Sequence, residues 1–147
     1  MTEHDIDREA VIGALNNILE AELAGVVRYT HYALMVFGYN RIPIVSWMRA
    51  QATESLAHAN QAGEMITHLG GHPSLGIGPL LETHRHDIGD ILRESLEHET
   101  QALAEYHRLL DLVAGRSVLL EEYARSMCAL EETHVGEVRK MLLKPGS

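Results

Sequence analysis

Glutamate and histidine residues occur at helical spacing at two places in the sequence. "ESLAHA" places Glu54 four residues before His58, and "EETH" places Glu131 three residues before His134. Residues three or four positions apart lie on the same side of a helix, so each pair could offer two ligands to one metal ion. The spacing alone is a weak signal because both residue types are common in this chain, and it needs support from the elements that carry it.

Hydrophobic residues at helical spacing predict an all-α chain with four long helices in a single domain over residues 1–147. Short links join the first helix to the second and the third to the fourth, so each pair is expected to form an antiparallel hairpin. A long connection, "GGHPSLGIGPLLETHRH", joins the second helix to the third and can cross the length of a bundle. The predicted helices span residues 7–37, 43–69, 87–114 and 117–143, with Ser117 as the N-cap of the last.

Three of these helices carry a glutamate in the middle of their apolar stripe. These residues are Glu22, Glu99 and Glu131, and His134 shares the stripe of Glu131. One such glutamate is usually a boundary residue that reaches water, but three on three helices indicate a common site. Buried carboxylates without partners cost several kcal/mol or take up protons. Because no lysine or arginine lies on these stripes, a bound cation is the natural compensating charge.

The second helix differs from the other three because its stripe consists of small residues and has no central carboxylate. Ser55 occupies the inward position, and His58 borders the stripe closely enough to reach inward. Glu54 lies about 100° around the helix from Ser55. We therefore expect Glu54 to join the site only if a π-bulge or local unwinding turns it inward.

Composition and charge exclude several classes of function. The formal net charge is −9 without a basic run, so nucleic acid is not expected as a partner. The single cysteine, Cys128, excludes an internal disulfide framework and is typical of a reducing cytoplasm. No segment was expected to approach a membrane-spanning run, and the acidic start "MTEHDIDRE" does not resemble a signal peptide. These features predict a cytoplasmic protein without a membrane partner.

The whole pattern resembles the ferritin-like superfamily, and most of all bacterioferritin, over roughly residues 8–144. The resemblance is carried by "ELAGVVRYTHYAL" with Tyr29, by "LGGHPSL" after the second helix and by "EETHVGEV". It implies a four-helix bundle whose dinuclear site takes one glutamate from each of two helices and a Glu-x-x-His pair from each of the other two. The metal-binding and catalytic residues that it implies are Glu22, Glu54, His58, Glu99, Glu131 and His134.

An ungapped comparison with that family would place His98 rather than Glu99 at the ligand position of the third helix. The helical periodicity favours Glu99, because His98 falls on the polar side together with Asp87, Glu94 and Gln101.

Three other positions depart from the bacterioferritin pattern. Ser55 stands where a bridging glutamate is expected, and Leu56 stands where the haem-binding methionine would be, so haem is not expected. The sequence ends at "KPGS" and resembles a short form without the fifth helix of cage-forming members. The expected assembly is a homo-oligomer, at least a dimer, and a closed shell is not implied.

The resemblance implies a ferroxidase that holds two iron ions, with manganese as an alternative metal, and acts in iron storage or detoxification. Fe(II) would be oxidised by dioxygen or peroxide, with Tyr29 as a hydrogen-bonding or redox neighbour. Two alternatives remain open: a dimeric, non-storage di-metal oxidase or peroxide-detoxifying protein, and a helical module whose metal site has decayed, for which Ser55 is the sign.

Histidines also cluster around the long connection, namely His68, His72, His84 and His86. We expect them to be solvated, because loops lie at the surface, with a secondary metal site as the alternative.

Overall fold

The computed structural model describes residues 5–80 and 82–147, and within these residues it contains four long helices and no strand. The predicted all-α four-helix bundle is confirmed. The helix ends differ from the predicted ones by two residues at most, at 35 instead of 37 and at 41 instead of 43. The helices are α1 (Arg8–Met35), α2 (Arg41–His68), α3 (Ile88–Val113) and α4 (Val118–Leu142).

Side-chain caps fix where three of the helices begin. Ser117 accepts a hydrogen bond from the backbone N–H of Leu120 at 3.2 Å, which makes it the N-cap of α4 as predicted. Asp7 and Asp87 cap α1 and α3 in the same way. These caps satisfy backbone N–H groups that have no partner within the first turn of a helix. The caps therefore determine where α1, α3 and α4 begin, and with that the level of each side chain along the bundle.

The long connection between α2 and α3 is a crossover that runs along α1. Near its start, Asn16 Nδ2 donates to the carbonyl of His72 at 3.3 Å. Further on, Arg28 Nη2 donates to the carbonyl of Pro79 at 3.0 Å. Because the rise of an α-helix is about 1.5 Å per residue, these contacts span about 18 Å of α1. The crossover therefore covers the groove between α1 and α3 instead of extending into solvent.

The apolar core is divided into two clusters, one near each end of the bundle. Along α1, α2 and α3, buried ionisable residues lie between the members of the two clusters, and on α4 the buried Glu131 follows the last member of the larger cluster. The larger cluster includes Leu15, Leu19, Ile66, Tyr106, Leu109, Leu120 and Met127. The smaller one includes Tyr29, Tyr32, Val36, Val45, Met48 and Ile91.

The expectation that no segment approaches a membrane-spanning run is wrong for α1. By length and composition alone, this helix could cross a membrane, with a mean hydropathy of 1.4 over its most apolar window. The same helix is a core helix of the bundle, where it buries Glu22 and Arg28 together with its apolar residues. Packing against other helices accounts for this hydropathy, because a helix that is buried on much of its surface is apolar around much of its circumference.

The N-cap of α4 gives a test of the helix boundary. Replacing Ser117 with alanine removes the hydrogen bond to Leu120 and is expected to lower the free energy of unfolding by about 1 kcal/mol, measured by urea denaturation. Ser126→Ala, at an exposed position inside the same helix, is the matched control and should leave the stability unchanged or slightly higher. Equal stability of the two variants would show that Ser117 is not a functional cap.

Candidate metal centre

The structure brings five of the sequence-predicted ligands together at the middle of the bundle. One group of candidate ligands is Glu22, His58 and Glu131, and a second is Glu99, Glu131 and His134. Within each group the ligand atoms all lie within 4.8 Å of one another. Glu131 belongs to both groups, so its carboxylate could contribute to both.

Both histidines direct the same ring nitrogen toward the shared carboxylate. His58 Nδ1 lies 3.7 Å from Glu131 Oε1 and 3.3 Å from Glu22 Oε2. His134 Nδ1 lies 3.9 Å from the same Glu131 oxygen. Helices α1 and α4 run antiparallel to α2 and α3. The candidate ligands lie near the middle of each helix, so the antiparallel arrangement brings them to the same level of the bundle.

Glu54 contacts the site from a half-buried position, with its side chain 34% exposed. Its Oε1 lies 3.6 Å from His58 Nε2 and 3.4 Å from His134 Nε2. The helix is regular α-helix at this point, so the π-bulge or unwinding that the sequence suggested is not present. Glu54 therefore reaches both imidazoles on the side away from Glu131, where a carboxylate can orient metal-binding histidines.

Ser55 is buried at the inward position, as its place on the helix predicted, and it packs against α1. A Cβ atom at Gly25 would lie 2.8 Å from Ser55 Oγ and 3.2 Å from His98 Nε2. Only glycine fits between these side chains without displacing them. The inward position of α2 is thus occupied by a small hydroxyl side chain in a closely packed contact with α1.

The buried carboxylates have incomplete hydrogen bonding. Tyr29 donates to Glu99 Oε1 at 2.6 Å, and Tyr106 donates to Glu22 Oε1 at 3.5 Å. Among the residues that the structure describes, no donor forms a hydrogen bond with Glu22 Oε2 or Glu131 Oε2. His58 Nδ1 is close enough to Glu22 Oε2 for an ion pair but is not aligned as a hydrogen bond. Buried polar atoms of this kind require compensation.

Protonation provides part of that compensation in the metal-free protein. Burial, together with hydrogen bonding to Glu99 and its charge, raises the pKa of Glu131 far above its ordinary value. Burial also opposes ionisation of Glu99, but hydrogen bonds from Glu131 and Tyr29 outweigh it and lower the pKa of Glu99. These opposite shifts favour a protonated Glu131 beside an ionised Glu99 in the metal-free protein.

The pKa values of Glu22 and His58, which lie next to each other in the same site, are also shifted. Burial raises the pKa of Glu22, and the adjacent His58 offsets this only in part. Burial lowers the pKa of His58, but its contacts with Glu22 outweigh burial, and the net shift is upward.

The two groups offer carboxylate oxygens and imidazole nitrogens as ligand atoms. Two of the carboxylate oxygens lack hydrogen-bond donors among the described residues. This donor set fits two hard or borderline divalent cations such as iron or manganese.

The sequence placed His98 and Glu94 on a polar face, and this prediction is wrong. The two side chains are 7% and 8% exposed, because the crossover covers this side of α3, whereas Asp87 and Gln101 are exposed as expected. Burial lowers the pKa of His98, so its neutral form is favoured beside Glu99.

A buried charge network next to the candidate ligands was also missed. Arg28 Nη1 donates to Tyr32 Oη at 3.2 Å and lies 3.9 Å from Glu94 Oε1, to which Tyr32 donates at 2.9 Å. Thr83 of the crossover donates to the other oxygen of Glu94 at 3.1 Å. The available signal was the spacing of four between Arg28 and Tyr32, which places both side chains on one side of the helix.

Comparison with known proteins was consistent with this geometry. The profile of the family described as "Ferritin-like domain" matches residues 12–144. The chain belongs to this family. The predicted resemblance to the ferritin-like superfamily is therefore confirmed. No curated protein sequence matches the chain significantly.

Solved structures with the same fold include several ferritin-like proteins. A ferritin-like, diiron-carboxylate protein from Bacillus anthracis str. Ames is 23% identical, with a TM-score of 0.88 and coverage of 93% of this chain and 98% of that one. A dodecameric thioferritin, a bacterioferritin-related protein from Bacteroides fragilis, is 22% identical, with a TM-score of 0.87 and coverage of 95% and 88%. Bacterioferritin from Rhodobacter capsulatus is 24% identical, with a TM-score of 0.82 and coverage of 90% and 82%. At these identities the likeness shows the fold.

The raised pKa of Glu131 predicts a pH dependence of the stability of the metal-free protein. Between the ordinary pKa of glutamate and the raised pKa, the folded chain holds a proton that the unfolded chain has released, so this residue's contribution to stability falls as pH rises. Glutamine mimics the protonated form. In a chelator, Glu131→Gln should therefore gain stability relative to the wild type between pH 6 and 9, by up to about 1.4 kcal/mol per pH unit.

Urea denaturation at each pH measures this difference. Glu132→Gln is the matched control, because Glu132 is the next residue of the same helix and its side chain is 57% exposed. Its stability relative to the wild type should not change in this way. A constant difference between Glu131→Gln and the wild type over this pH range would show that Glu131 is ionised in the folded protein.

Proposed function

We propose that this ferritin-like protein is a ferroxidase that oxidises Fe(II) in the centre of its bundle, with manganese as an alternative metal. The observation that supports this function best is the position of Glu131, which is shared by two groups of buried ligands and has an oxygen without a hydrogen-bond donor among the described residues. The proposed metal-binding and catalytic residues are Glu22, Glu54, His58, Glu99, Glu131 and His134.

In the proposed reaction, two Fe(II) ions are oxidised for each molecule of dioxygen or peroxide that is reduced. Two Fe(II) ions bound side by side lose one electron each and become Fe(III). Dioxygen takes up the two electrons with two protons to form hydrogen peroxide, or hydrogen peroxide takes them up with two protons to form two water molecules. A site for two ions matches this stoichiometry, whereas a site for one ion would release electrons singly.

The side chains have distinct proposed roles. Glu131 would be the ligand that both ions share, and it would have to release its proton, since metal ligands must be deprotonated. Glu22 with His58, and Glu99 with His134, complete the two ligand groups. Tyr29 holds Glu99 in its ionised form and orientation through the hydrogen bond of 2.6 Å. Glu54 orients both imidazoles from the outside, or turns inward as a ligand once the ions are bound.

An anaerobic Fe(II) titration followed by exposure to oxygen tests this function. The wild type should bind two Fe(II) per chain and oxidise them rapidly, with ultraviolet absorbance reporting the Fe(III) formed. Glu131→Ala should lose the tight binding of both ions, because it removes the ligand that the two groups share. Weak binding by the wild type, or unchanged binding in this variant, would overturn the proposal.

The role of Glu54 can be tested separately. Glu54→Ala should slow Fe(II) oxidation by about tenfold or more, because outer partners of metal-binding histidines commonly have effects of this size. Glu64→Ala, at an exposed position on the same helix, is the matched control and should oxidise Fe(II) at the wild-type rate. Full activity of Glu54→Ala in a stopped-flow assay would remove Glu54 from the site.

The assembly is proposed to be a cytoplasmic homo-oligomer of at least two chains. Large apolar side chains are exposed where α1 ends and α2 begins, with Leu34 59%, Phe37 70% and Ile42 84% exposed. A second copy of this chain would cover them, and the solved relative from Bacteroides fragilis is dodecameric. Cys128 is a buried free thiol, which is typical of a reducing compartment.

The second candidate function is a dimeric di-metal oxidase or peroxide-detoxifying protein that stores no iron. The same two ligand groups would serve it, because oxidation of Fe(II) in pairs does not require that the product be stored. The close approach of five buried or half-buried ligands favours either oxidase over a module with a decayed site. We expect storage to require a closed shell, so mass photometry that shows only dimers, with no more than a few irons per chain after aerobic loading, would leave only the non-storage oxidase.

A further inference from the structure

Three metal-ligating side chains meet outside the bundle, where the crossover passes α1. His31 Nε2 lies 2.5 Å from Glu82 Oε2, and His86 Nε2 lies 3.4 Å from the same oxygen. The ligand atoms of the three residues all lie within 4.8 Å of one another. None of them belongs to the buried centre. They come from two separate parts of the chain, since His31 is on α1 and the other two are on the crossover.

The backbone of the crossover is shaped to present two of these ligands together. Glu82 Oε1 accepts a hydrogen bond from the backbone N–H of His84 at 2.5 Å. His84 itself has a φ of 57°, in the left-handed region that costs a non-glycine residue about 1 kcal/mol or more. This turn places Glu82 and His86 on the same side, facing His31. Unfavourable backbone conformations of this kind are concentrated at binding sites.

The segment around Glu82 is also held by a hydrogen bond to a buried residue of α3. Thr83, between Glu82 and His84, donates to the buried carboxylate of Glu94 on α3 at 3.1 Å. Glu94 is held in turn by Tyr32, the neighbour of His31 on α1. The buried network thus fixes the height of the crossover relative to α1, and with it the distance between the three surface ligands.

Two imidazoles and one carboxylate form a donor set that binds zinc or ferrous iron in proteins. At metal–ligand distances of about 2.0–2.2 Å, neighbouring ligand atoms of a tetrahedral site lie about 3.3 Å apart. The separation of 3.4 Å between His86 and Glu82 already fits this value. The separation of 2.5 Å between His31 and Glu82 would need to open by about 1 Å, which a half-exposed histidine allows.

We propose that His31, Glu82 and His86 bind one divalent transition-metal ion, Zn(II) or Fe(II), and that this ion ties the crossover to α1. The other histidines of the region are not part of this site: His72 and His84 are exposed, and neither belongs to the three-residue group. His31 was not among the residues that the sequence associated with this region. Its contribution depends on the crossover running alongside α1.

Equilibrium dialysis against Zn(II) tests the site with the metal alone. Wild-type protein should bind one more Zn(II) per chain than His31→Ala or His86→Ala, because two of three ligands hold the ion at least about tenfold more weakly. His107→Ala is the matched control. His107 forms an exposed pair with Glu132 at 3.1 Å, but this pair belongs to none of the three candidate ligand groups. This control should bind as many ions as the wild type.

The same stoichiometry and affinity in the wild type and in both variants would overturn the proposal and leave a hydrogen-bonded surface cluster. Circular dichroism in a chelator checks that each variant is folded, and two independent variants guard against a defect in either one. Zn(II) should also slow amide hydrogen exchange at residues 82–86 in the wild type but not in His31→Ala. A bound ion without this protection would overturn the proposed tie between the crossover and α1.

Discussion

The burial of several carboxylates between two apolar clusters is the constraint on which the rest of this structure depends. Glu22, Glu99 and Glu131 are each at most 5% exposed, and among the described residues no lysine or arginine forms an ion pair with them. Such a group is stable only if protons, hydrogen bonds or cations compensate the charge. Protonation of Glu131, which its raised pKa favours, and the hydroxyl groups of Tyr29 and Tyr106 provide a partial compensation. Two divalent cations would complete it.

The crossover has a larger structural role than a connection between two helices. It follows α1, accepts hydrogen bonds from Arg28 at Pro79 and donates to Glu94 through Thr83. It passes so close to α1 that a Cβ atom at Gly78 would lie 3.0 Å from the backbone oxygen of Glu20. By covering the groove between α1 and α3, it buries Glu94 and His98 on the polar side of α3, whereas Asp87 and Gln101 stay exposed. The proposed surface metal site lies on the same contact.

Helix α2 brings a carboxylate to the candidate metal centre without a distortion of its backbone. Ser55 holds the inward position and packs against Gly25, while Glu54 reaches both imidazoles from one residue earlier along a regular helix. A glutamate side chain is long enough to cover the angular offset of one residue when its targets lie at the edge of the helix. The carboxylate of α2 is therefore present at the site, but it approaches from the solvent side.

The sequence by itself determined the four helices, because their apolar stripes, caps and breaking glycines are local signals. It also predicted which glutamates of α1, α3 and α4 turn inward, since a residue in the middle of an apolar stripe has no other direction available. The burial of Arg28, Glu94 and His98 was decided by tertiary structure, because the crossover that covers them is distant in sequence and has no periodic pattern. The approach of Glu54 to both histidines, and of His31 to Glu82, likewise depends on contacts between separate segments. Such contacts follow from how the helices and the crossover pack, which the helical spacing of the sequence does not specify.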